Sequence, residues 1–133
     1  AVNLARRAVA CPRWLWMPGM RALPHGVGGG PERLHALDEH SPHCDETPAS
    51  IAEAGWFLPD LDDPATLGCL MALVREAWTR PGEVGPRPMD IGFGDLSAFD
   101  TLERRAWVQI MGAPRFDADT LAEALVAALE AAP

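Results

Sequence analysis

The sequence predicts a small α+β domain, a mostly antiparallel sheet of three to five strands packed with a central buried helix and with N- and C-terminal helices. Three observations predict it. The stretch PATLGCLMALVREAW, Pro64–Trp78, is apolar at helical spacing on more than one side. TLAEALVAALEAA, Thr120–Ala132, is a second amphipathic helix. MDIGF alternates, and AWVQIM is rich in aromatic and branched residues, as strands are. With 133 residues, 48% of them hydrophobic, the chain suits one compact domain, 1–133, with a flexible loop region at about 24–55.

The elements follow in order. VNLARRAVA reads as a helix, with Leu4, Ala8 and Val9 on one face and Arg6 and Arg7 off it. Pro12 stops it. RWLWM alternates and predicts a strand, Pro18–Gly19 a turn, and MRAL a returning partner strand. PHGVGGGPE reads as a loop. RLHAL fits a short strand or a helical turn, IAEAGWF stays ambiguous, and the polar run Asp38–Ser50 reads as a surface loop. Asp63 is the expected cap of the central helix and Pro64 its first residue, where a missing N–H costs nothing. Asp60 and Asp62 add negative charge near the helix's positive end. GDLSAFDTLERR suggests a short helix, GAPRFDAD a turn, and Thr120 with Glu123 a capping box, with Asp117 or Asp119 as rival caps.

Charge is unevenly spread. Residues 1–34 hold five Arg and one acid, a net of +4, whereas residues 35–133 hold six Arg and eighteen acids, a net of −12. All eleven basic residues are Arg, which makes planar two-pronged contacts with phosphate or carboxylate. Three cysteines, Cys11, Cys44 and Cys69, are an odd and small set for a disulfide scaffold, so a reducing, cytoplasmic setting with free thiols is expected. The N-terminal stretch lacks the long apolar core of a secretory signal, and no apolar run reaches membrane-spanning length.

Few constellations point to chemistry. His40, His43 and Cys44 lie close together in HSPHC, but structural zinc takes four ligands, usually as two separated pairs. No metal and no cofactor is therefore expected, with His40, His43 and Cys44 as the alternative metal ligands. GVGGG lacks the Lys and Ser/Thr of a phosphate-binding loop, and no serine sits in a nucleophile motif. Adjacency of His43 and Cys44 does not activate the thiol, because the base must reach the sulfur in space. No catalytic residue is identified. The segment RRAVACPRWLWMPGMR interleaves Arg6, Arg7, Arg13 and Arg21 with Trp14 and Trp16. Guanidinium groups pair with phosphate and indoles stack on bases, so these six residues are the candidate ligand site. The competing reading places the two indoles in the core and makes the arginines a solvated segment that pairs with acids of its own chain.

LARRAVACPRWLWMPGM, LPDLDDPATLGCLMALVREAW and EALVAALEAAP resemble a group of short uncharacterised proteins of tailed phages and prophages of GC-rich bacteria. The resemblance covers roughly half of the chain and implies a role in the host cytoplasm during infection. It brings no fold, activity or site residues with it. The expected function is that of a phage accessory protein acting by binding, a counter-defence factor that blocks a host immune protein through an acidic surface. The alternative is a protein that sequesters a phosphorylated nucleotide signal through the Arg/Trp segment. The expected partners are a host protein or a nucleotide-type ligand, with no membrane and no direct nucleic-acid contact; self-association stays open.

Overall fold

The computed structural model describes residues 2–25, 29–34, 57–94 and 105–133. These form a small α+β fold with three helices and two three-stranded antiparallel sheets. Contacts divide the chain into two compact units, Ala1–Cys69 and Leu70–Pro133, with one sheet in each. The strands expected of one sheet thus belong to two.

In the first unit, α1 (Val2–Ala10) buries Ala5 and Ala8 and half-buries Leu4 and Val9. Its sheet has the order β2-β1-β3, from β1 (Arg21–Pro24), β2 (Glu32–Arg33) and β3 (Phe57–Pro59). Ala22 faces Glu32 on one side and Pro59 on the other. The strand expected over RWLWM does not form. Both edges of β1 are taken by β2 and β3, which leaves Trp14–Met17 no place beside it, and Pro12 and Pro18 bracket the segment. The turn at Pro18–Gly19 is present: Met20 N–H donates to Met17 O at 3.2 Å, and Gly19 has φ of 95°, the left-handed conformation that a type II turn requires at its third position. The expected loop region contributes β2, the two residues just before the RLHAL leucines.

Helix α2 (Pro64–Ala77) starts where the sequence places it. Asp63 Oδ2 accepts the Thr66 N–H at 2.9 Å, the bond an N-cap makes to the third helical residue. Leu70, Leu73, Val74 and Ala77 are buried, whereas Gly68 and Ala72 are exposed.

In the second unit, β4 (Met89–Phe93), β5 (Ala106–Ile110) and β6 (Arg115–Ala118) form a sheet in chain order. The turn expected over GAPRFDAD covers only its first part; Arg115–Ala118 continue as β6, paired with β5 from Gln109↔Arg115 to Ala106↔Ala118. Helix α3 (Leu121–Glu130) packs on β5 and β6. Its capping box is complete: Thr120 Oγ1 accepts Glu123 N–H, and Glu123 Oε2 accepts Thr120 N–H. Leu125, Val126 and Leu129 of the helix and Val108 and Ile110 of β5 are all fully buried. Trp78 Nε1 donates to Ala128 O at 2.9 Å, and its ring lies 6.1 Å from Phe116. On the opposite face of the sheet, the Trp107 indole lies where a side chain at Gly92 would be, so only glycine fits there. The short helix expected over GDLSAFDTLERR, and most of IAEAGWF, fall outside the described residues.

Candidate functional site

The six candidate residues all lie in the first unit, but their surroundings differ. Arg6 and Arg7 are exposed on α1, and Arg6 donates to His25 Nε2 at 2.7 Å. Arg13 is exposed in the turn after that helix. Trp14 is 9% exposed and packs edge-to-face against half-buried Trp16, with ring centroids 5.6 Å apart and planes at 89°. The Trp14 Nε1–H is buried without an acceptor among the described residues. Arg21 reaches Asp60 at 3.5 Å, and its own N–H donates to Thr66 Oγ1 at 2.8 Å. The two indoles are thus brought together, and Trp14 offers little surface for stacking on a base.

A second polar centre, which the sequence does not announce, lies at the start of α2. Arg33 donates from both Nη atoms to the two carboxylate oxygens of Asp63, at 3.0 and 2.7 Å, and from Nη1 also to Gly19 O at 2.7 Å. Thr66 is fully buried; its hydroxyl accepts from Arg21 N–H and donates to Asp63 Oδ2 at 2.9 Å. The guanidinium of Arg33, with the Thr66 bonds, holds the Asp63 carboxyl well below the usual carboxylate range, and Asp63 in turn raises Arg33. The arrangement ties β1, β2 and the start of α2 together. Asp60 is likewise engaged, as acceptor from Asp62 N–H and as partner of Arg21. Cys69 Sγ contacts Pro18 O at 3.7 Å, and burial pushes this thiol's pKa up, away from the thiolate a nucleophile needs.

The second unit carries an open depression of about 470 Å³, lined by Arg80, Glu83, Val84, Arg87, Pro88 and Met111 among others. Arg87 grips Glu83 with Nε and Nη2, at 2.6 Å for the shortest bond, and donates from Nη1 to Met111 O. That grip, with the Arg80 N–H, lowers the Glu83 pKa to about 2. Arg80 has no side-chain bond among the described residues.

His40, His43 and Cys44 lie outside the described residues. Among the described ones, no group of three or more His, Cys, Asp or Glu is placed to hold a metal ion, and no helix is long and apolar enough to cross a membrane. No family model, curated protein or solved structure matches this chain.

Proposed function

We propose that this chain is a phage accessory protein that acts by binding, laying an acidic surface against the basic groove of a host immune protein and so blocking it. One observation carries the proposal. The forty residues from His35 to Val74 hold eight acids and not one Arg or Lys. Of those acids, Asp60 and Asp63 are neutralised by Arg21 and Arg33, and Asp62 is exposed. The second unit, by itself, bears exposed Glu76, Asp90 and Asp119. Acids in such excess over basic residues speed encounter with a basic partner and repel acidic ones. The resemblance of Leu4–Met20, Leu58–Trp78 and Glu123–Pro133 to short phage proteins supports the infection setting.

The nucleotide reading has fewer groups to draw on, because Trp14 is buried and Arg21 is engaged with Asp60. The test is affinity capture from host extract with the tagged chain and with a variant carrying Asp62→Lys, Glu76→Lys and Asp119→Lys. The expected result is a basic protein recovered by the unmodified chain, lost in the variant and released by salt as the screening length falls from about 10 Å at 0.1 M to about 3 Å at 1 M. Capture indifferent to both salt and charge reversal contradicts the proposal.

A further inference from the structure

Among the described residues, the sheet of the second unit leaves β4 with one strand neighbour. Its pairing with β5 is one-to-one over five residues, Met89↔Ile110 to Phe93↔Ala106, without a bulge. Gly94 N–H donates to Arg105 O at 2.8 Å and Met111 N–H to Pro88 O at 3.1 Å, which fixes the phase of the ladder. Alternate residues from Pro88 to Gly94 therefore bond toward β5, and the N–H and C=O groups of Met89, Ile91 and Phe93 point away from it. The side chains of those three residues share a face with Ile110, Val108 and Ala106, their direct partners. Helix α3 covers that face over β5 and β6. Over β4 it stays open, with Ile91 40% and Phe93 65% exposed.

The other sheet edges are blunted. Strand β2 has two residues, β3 has three and ends on Pro59, and β6 carries the ion pair Arg115–Asp117. Strand β4 has no proline within it, and its single charge, Asp90, alternates onto the opposite face. We propose that β4 is a self-pairing edge, through which two copies of this chain join in antiparallel register centred on Ile91 into one six-stranded sheet. The strand is its own complement. That register sets Ile91 against Ile91 and Met89 against Phe93, matches outward donors to outward acceptors, and puts Asp90 opposite Gly92, so no like charges meet. The two-fold arrangement uses up both edges and closes at a dimer. The uncovered parts of Ile91 and Phe93 come to roughly 200 Å² per copy, judging from the 150–250 Å² an aromatic side chain buries. A standard interface buries about 800 Å² per partner, so the dimer is a weak one, with a dissociation constant of roughly 10–100 µM.

Sedimentation equilibrium of the whole chain from about 5 to 500 µM spans that range. The expected result is a monomer–dimer equilibrium that Ile91→Lys weakens at least about tenfold and that Val84→Lys, at a fully exposed position in the loop before the strand, leaves unchanged. Amide exchange at Ile91 and Phe93 slows as the concentration rises. With oxidised glutathione added as the two-electron oxidant, Ile91→Cys forms a disulfide with its symmetry mate, because a hydrogen-bonded antiparallel pair holds its Cα atoms about 5.5 Å apart, within disulfide reach. A monomer throughout the range, or a dimer indifferent to Ile91→Lys, overturns the proposal. So does slow exchange at Ile91 that is independent of concentration, which means the edge is covered by its own chain. If Ile91→Lys does not fold, Phe93→Lys replaces it, and amide exchange of the unmodified chain still decides.

Discussion

Asp63→Ala removes the carboxylate on which the start of α2 depends. The cap bond to Thr66 N–H goes with it, a loss of about 1 kcal/mol. Thr66, fully buried, keeps the bond its hydroxyl accepts from Arg21 but loses the acceptor for its own proton, and a buried unsatisfied donor costs about 1–3 kcal/mol. The Arg33 contact adds little to this figure, since the Arg33 side chain is 41% exposed and water takes over its donors. The expected destabilisation is therefore about 2–4 kcal/mol, a large share of the 5–15 kcal/mol typical of a domain. Asp63→Asn keeps an oxygen for the cap and should lose less. Urea denaturation reads both, with a lower midpoint at unchanged slope. A loss below about 1 kcal/mol for Asp63→Ala refutes the network as described.

Acid should weaken the same centre. The Asp63 pKa is depressed in the folded state, so its contribution is present above the ordinary carboxylate value of 3.8 and fades as pH falls below that value toward the folded one; Asp63→Asn, measured from about pH 5 to 2, should lack that part of the decline. Glu83 should titrate near 2 by NMR, and Arg87→Gln should return it toward 4.5; a Glu83 midpoint near 4.5 in the unmodified chain contradicts the contact with Arg87. Leu70→Ala leaves a cavity under a fully buried side chain and should cost about 2–5 kcal/mol by chemical denaturation, whereas a loss below about 1 kcal/mol means that α2 is not packed there. Gly92→Ala drives a methyl group into the Trp107 indole and should destabilise by about 1–3 kcal/mol, with near-neutral behaviour contradicting the close approach.

Local signals carried much of the fold. Asp63–Pro64 and Thr120–Glu123 mark helix starts by bonds made within three residues, and both caps stand where the sequence puts them. Strands β4 and β5 show their own alternation or branched content. What failed was non-local. RWLWM has strand chemistry, but its expected partner β1 is already paired on both sides, and Arg115–Ala118 has weak strand chemistry but is offered the open edge of β5. Of the candidate residues, Arg6 and Arg7 are exposed as expected off the α1 face, while Trp14 packs against Trp16 in the core. The bond between Arg33 and Asp63 spans thirty residues, and no spacing rule in the sequence points to it. The division of the strands between two sheets is equally a matter of pairing choices that single strands do not encode.

Native mass spectrometry of the chain isolated from infected host cells tests most directly whether it acts by binding a protein. The expected spectrum shows this chain carrying a basic host protein at fixed stoichiometry, with the complex weakened when Asp62, Glu76 and Asp119 are changed to Lys. A spectrum in which the chain instead carries a nucleotide, lost on Arg13→Ala in a variant that still folds, contradicts that function and assigns binding to the Arg/Trp segment.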